Sequence, residues 1–257
     1  MNFGVSVYIP NRNHAATLGA AIYSAVREQP IEVVVIDDAS TDHSVSVADA
    51  AAQAYGSVWI QHNATKAACW EEAAAREFPS LTGSHIVGLS ADDELWPGIV
   101  QSVMRYPRAA VIFHPYLVRK PGQSPHAMVP MPFSHIEART AEEAQETLMS
   151  DAHPCETGVG SAIRCDWLEW LCRLEYWRMG PWADAVGYSA VAALGGCVYA
   201  APDVGAVFTE DDDGYGVTRR NGPEAGSLMA EVRAFLKRAQ VPKPVADAIC
   251  RKRGVDA

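Results

Sequence analysis

Val5-Ser-Val-Tyr-Ile-Pro-Asn-Arg-Asn13 and Glu32-Val-Val-Val-Ile-Asp-Asp-Ala-Ser-Thr-Asp42 decide the fold. Each is a β-rich apolar run that ends in a polar or acidic cluster. Between them Leu18, Ala21, Ile22, Ala25 and Val26 recur at i, i+3, i+4, i+7 and i+8, which predicts a helix over 15–27. The unbroken Val/Ile run over 31–37 fits a strand covered on both faces of a parallel sheet. Further on, Gly88-Leu-Ser-Ala-Asp-Asp-Glu-Leu-Trp-Pro97 again takes an apolar strand into acids. In an open α/β sheet, ligands bind at the carboxyl ends of the strands. Two strands that deliver paired aspartates to one edge suggest a metal and a phosphorylated ligand there.

The same alternation continues outward. Strands are predicted at 4–10, 58–61, 85–89 and 109–113, with helices from Ser40–Asp42 to about Tyr55, over 67–77, and from Trp96. Strands alternating with helices imply an α/β fold with a mostly parallel central sheet, right-handed crossovers and flanking helices. Five prolines interrupt 115–136, which reads as a loop or irregular hairpin. Helices follow at 138–150, 166–178 and 181–194, short strands at 197–200 and 205–208, and a tail helix around Leu228–Leu236. The Trp167, Trp170 and Trp177 spacing reads as helix packing.

Composition narrows the class. The 257 residues are enough to bury a full core. A net charge of −10 opposes a nucleic-acid binder, which needs a basic footprint. It does not oppose an anionic ligand, because a divalent cation reverses the local sign of a site. No apolar run approaches a membrane span, and no signal peptide is evident. The six cysteines form no CxxC pair, and they read as reduced thiols of a cytoplasmic protein, at most peripheral to the inner face of a membrane. His153 and Cys155 lack a second ligand pair at zinc spacing.

These segments closely resemble the family 2 glycosyltransferases of the GT-A fold. The resemblance covers roughly residues 3–209, and it is most specific in the N-terminal half. It implies one GT-A domain over 1–209, with a nucleotide-binding half (1–114) and an acceptor half (115–209). An acidic loop and helical tail complete the chain over 210–257. The implied activity is transfer of a sugar from a nucleotide-diphosphate sugar, with a uridine diphosphate (UDP) sugar favoured, to a saccharide hydroxyl. The implied cofactor is Mn²⁺ or Mg²⁺.

Position by position, Pro10 and Arg12 would flank the base, and Asp38 would accept the imide N–H of a pyrimidine. Asn13 reads as a turn residue and Asp42 as a solvated helix end. Asp92 and Asp93 fall in the family's DxD-like motif. Asp92 would contact ribose or metal, and Asp93 would be the main metal ligand. Lys66 would face the diphosphate. Asp184, opening a helix after Trp182, would be the catalytic base of an inverting reaction. Glu156 and Trp182 would reach the acceptor or sugar. Four departures stand out: Ser90 in place of the first acid, Ala183 before Asp184, Thr65-Trp70-Glu71 in the third-helix motif, and Thr209-Glu-Asp-Asp-Asp213 where relatives carry a late histidine. They keep open the alternative of a nucleotide binder without catalysis. A sugar-phosphate nucleotidyltransferase would need a Gly-x-Gly-x-Arg loop after the first strand, and none is present.

Overall fold

The computed structural model describes residues 2–67, 72–73, 81–130, 135–136, 141–149, 160–210 and 225–252. Where it is described, the first half builds as the sequence predicts, the helix expected over 67–77 lying mostly outside the described residues. β1 (Asn2–Asn11) is followed by α1 (Leu18–Val26), β2 (Glu32–Asp37), α2 (Ser44–Ala54), β3 (Val58–His62) and β4 (Gly83–Gly88). β1 is central, pairing in parallel with β2 on one side and β4 on the other, while β3 extends the sheet beyond β2. Asn13 takes φ 59 and its Oδ1 accepts the Thr41 amide at 2.7 Å, so it holds the turn. Asp42 accepts the amides of Ala15 and Ser44 from an exposed position, tying the starts of α1 and α2 together.

The second half continues through β5 (Glu94–Leu95), α3 (Ile99–Met104), β6 (Val111–Phe113), β7 (Tyr116–Arg119), β8 (Ala127–Val129), β9 (His135–Ile136) and α4 (Ala141–Met149). Then come β10 (Ala162–Arg164), α5 (Cys165–Arg173), a 3₁₀ segment (Tyr176–Trp182), α6 (Ala183–Ala193), β11 (Val198–Ala200) and β12 (Ala206–Thr209). The C-terminal part holds α7 (Ala225–Arg238) and α8 (Lys243–Lys252).

Two details correct the expectation. The main sheet runs β3-β2-β1-β4-β10-β6-β11-β9, so β10 lies antiparallel between β4 and β6 where a parallel neighbour was expected. The helix expected over 166–178 ends at Arg173, because Glu175 adopts φ 54 and the chain re-enters as the 3₁₀ segment. The proline-rich stretch does form a hairpin, β7 with β8, inside a second sheet ordered β5-β12-β7-β8.

The strands alternate between two cores, as a period of two requires. Val5, Val7, Ile9, Val33, Val35, Val87 and Ile112 meet α1, α2 and α3 on one face. Tyr8, Val34, Ile36, Ile86, Val111 and Phe113 meet α5, the 3₁₀ segment, α6, α7 and α8 on the other. Cover on both faces is why the strands read as continuous apolar runs. Trp167, Trp170, Trp177 and Trp182 all pack against this second core. No described helix is long and apolar enough to cross a membrane.

Candidate active site

A cavity of about 130 Å³ opens at the carboxyl ends of β1 and β4. Pro10 enters its wall from β1, and Ser90 and Asp93 from the turn after β4. Gly160 and Ser161 come from the approach to β10, Tyr176 from the 3₁₀ segment, and Asp184 and Tyr188 from α6. Three residues singled out from the sequence, Pro10, Asp93 and Asp184, therefore share one cavity. Tyr8, at the end of the first strand's apolar run, lines it as well.

Asp93 is 4% exposed. Its Oδ1 accepts the Thr209 amide at 2.7 Å. Burial, and then the negative charge of Asp92, push its carboxyl up to about 8, against the Thr209 amide, Arg119 and the Ser90 hydroxyl. Ser90, which replaces the first acid of the resembled motif, thus supports Asp93 by hydrogen bonding. Two adjacent carboxylates, one of them desolvated, have only Arg119 as nearby positive charge, too little to hold Asp93 at its ordinary carboxylate value. A hard divalent cation fits that donor set, since Mg²⁺-type ions commonly take one or two carboxylates and leave the remaining positions to phosphate and water. Among the described residues, no cluster of three or more His, Cys, Asp or Glu forms a complete protein cage. A cation held here by Asp92 and Asp93 would share its coordination with the ligand's phosphates.

At the end of β2, Asp38 is nearly buried, and it accepts the Ala67 amide on both oxygens at 2.9 and 3.1 Å. Asn63 Nδ2 adds a bond at 3.2 Å. Asp37 accepts from Asn11 Nδ2 and from the Ser40 amide, which makes it a turn residue. Arg12 Nη1 donates to the carbonyls of Asp38 and Ala39 at 2.7 and 3.4 Å, so the guanidinium lies over the exit of β2. Lys66 is exposed beside Ala67. Trp182 is half-buried against the second core. Glu156, Trp70, Glu71, His153, Cys155 and Asp211–Asp213 lie outside the described residues.

The sequence reading missed a ladder beside Asp93. Arg119 Nη1 donates to Glu94 Oε1 at 2.6 Å, and its Nε to Thr209 Oγ1 at 3.1 Å. Thr209 Oγ1 donates to the Asp92 carbonyl at 2.5 Å. A four-residue strand among prolines gives little periodicity. The available signal was the place of the absent late histidine, which Thr209 opens.

The family model described as Glycosyl transferase family 2 matches residues 6–171. The succinoglycan biosynthesis protein ExoU of Rhizobium meliloti (strain 1021) is 41% identical over 98 residues, covering 37% of this chain and 28% of that protein. The chain therefore aligns with under a third of that relative's length. S. aureus TarS, solved with UDP-GlcNAc, superposes with a TM-score of 0.72 at 13% identity, over 97% of this chain and 71% of that one. The mannosyltransferase PcManGT from Pyrobaculum calidifontis, solved with GDP-Man and Mn²⁺, gives a TM-score of 0.62 at 17% identity, over 99% and 70%. At these identities the likeness establishes the fold, which is GT-A.

Proposed function

The chain belongs to glycosyl transferase family 2, and from that premise we propose that it moves a sugar from a nucleotide-diphosphate sugar to a saccharide hydroxyl with inversion. The observation that carries this reading is that Asp93 and Asp184 line one cavity at the carboxyl edge of the sheet. Inverting transfer needs leaving-group stabilisation at one end of the reacting sugar and a base at the other. In this reading Asp184 takes the proton of the acceptor hydroxyl as its oxygen attacks the anomeric carbon. The glycosidic bond to the diphosphate breaks in the same step, and the electron pair leaves with the nucleotide. Pro10, Arg12 and Asp38 hold the base, with Lys66 near the phosphates. Asp92 and Asp93 would hold Mn²⁺ or Mg²⁺, which when bound would supply positive charge to the diphosphate. Neighbours that share the fold carry UDP-GlcNAc or GDP-Man. Asp38 as reader of an imide N–H favours UDP.

The test has two parts. UDP should bind at least about tenfold more weakly in excess chelator, since two carboxylates repel a diphosphate without a cation between them. Asp184→Asn should bind UDP like the parent yet lose about 10²–10⁴-fold in transfer or donor hydrolysis. Equal UDP binding with and without chelator removes the cation from the reading, and parent-like turnover in Asp184→Asn removes the base.

A further inference from the structure

β5, β12 and β7 lie side by side, with Val207 opposite Glu94 and Thr209 opposite Arg119. Arg119 reaches across the middle strand. Its Nε meets Thr209 Oγ1 at 3.1 Å, its Nη1 meets Glu94 Oε1 at 2.6 Å, and its Nη2 reaches the Asp92 carbonyl at 3.5 Å. Thr209 closes the same turn from its own side. Its hydroxyl donates to the Asp92 carbonyl at 2.5 Å, and its amide to Asp93 Oδ1 at 2.7 Å. The Glu210 amide donates to the Arg119 carbonyl at 2.8 Å, extending the pairing of β12 with β7 by one residue.

We propose that Arg119 is a positioning residue, a strut that presents the Asp92–Asp93 turn to a nucleoside diphosphate and its divalent cation. The inference rests on the functional reading above. Two observations separate a strut from an incidental surface charge. The side chain is only 20% exposed, and its donors go to three residues on two separate segments, Asp92 and Glu94 on one and Thr209 on the other. Its charge also has the wrong sign for the site, because a guanidinium near two carboxylates repels a cation. If Arg119 acted through charge alone, its removal would tighten cation binding. If it acts as a strut, removal loosens binding. Lysine would keep the charge but lacks the planar fork that spans Thr209, Glu94 and Asp92.

Titration of Mn²⁺ with UDP, by calorimetry or by the Mn²⁺ electron-spin signal, reads this sign directly. Arg119→Gln, Arg119→Lys and Thr209→Val should each weaken Mn²⁺–UDP binding by about tenfold or more. UDP binding in excess chelator should match the parent, showing the base site intact. Thr209→Val removes the middle rung but leaves the charge of Arg119 and the amide bond to Asp93. It decides the matter alone if the arginine variants do not fold. Arg119→Gln that binds Mn²⁺–UDP as tightly as the parent, or more tightly, overturns the strut. A parent that binds no Mn²⁺–UDP overturns the functional reading, and the strut with it.

Discussion

Asp38 already makes three contacts with its own chain, two to the Ala67 amide and one to Asn63. A carboxylate offers about four lone-pair sites, so an imide N–H can still be accepted. This double duty changes how the residue should be probed. Alanine would orphan the Ala67 amide as well as the base, and stability loss would be confused with lost recognition. Asparagine keeps the shape but replaces one acceptor with a donor. Whichever way its amide turns, one N–H faces another. With the oxygen toward Ala67, the base loses its acceptor. With the oxygen toward the base, Ala67 loses its own. An unsatisfied buried donor costs about 1–3 kcal/mol. Asp38→Asn should therefore bind UDP about five- to 150-fold more weakly, or lose an equivalent amount of stability. Calorimetry and thermal melts on the same preparation check both. Parent-like affinity together with a parent-like melting temperature would reduce Asp38 to a spacer.

At the scale of elements, the cavity is shaped by how closely β4 passes β1. A Cβ built on Gly88 would lie 2.8 Å from the Tyr8 hydroxyl oxygen, closer than real contacts allow. Tyr8 packs in the second core and also lines the cavity, so a methyl at 88 displaces a rigid ring within the wall. Gly88→Ala should cost about 1–3 kcal/mol by overpacking. It should also lower turnover, because the displaced ring shares its cavity with Asp184. Tyr8→Phe in the same chain removes the oxygen but keeps ring carbons at 2.9 and 3.0 Å, so it should recover only part of the stability. An unchanged melting temperature in Gly88→Ala would show that the ring has room to move. The same packing explains which elements were legible in the sequence. β1, β2 and β4 are covered on both faces, so their apolar runs are unbroken and end visibly at Asn11, Asp37 and Gly88. β10 has three residues, and its place between β4 and β6 depends on contacts far along the chain. No local pattern encodes that insertion. Asp93 was readable as an acid ending a strand. Asp184 was readable only through family resemblance, since an acid opening a helix is ordinary. Arg119 looked like a loop residue, because its four-residue strand gains identity only from β12 beside it.

At the scale of the molecule, the sequence reading places a boundary at residue 209, yet the core includes residues beyond it. Val232, Phe235 and Leu236 of α7 and Val245 and Ile249 of α8 are at most 2% exposed. They belong to the same cluster as Tyr176, Met179, Ala183 and Val186, the segments that carry Asp184 into the cavity. Arg238 adds donors to the Leu174 carbonyl, where α5 gives way to the 3₁₀ segment. Burial of a large apolar side chain stabilises by about 1.5–3 kcal/mol, so these five residues contribute on the order of 10 kcal/mol. A whole domain is stable by only about 5–15 kcal/mol. Deletion of residues 225–257 should therefore do more than trim a tail. It should expose the face of α6 opposite the sheet and abolish a cooperative melt. It should also raise binding of a hydrophobic dye and remove Mn²⁺–UDP binding with the rest of the fold. Replacing Phe235 alone with alanine is the milder form of the test, expected to cost about 3–5 kcal/mol. A truncated chain that melts sharply and binds Mn²⁺–UDP like the parent would show that residues 1–224 form a self-sufficient domain, with the two helices as a separable addition.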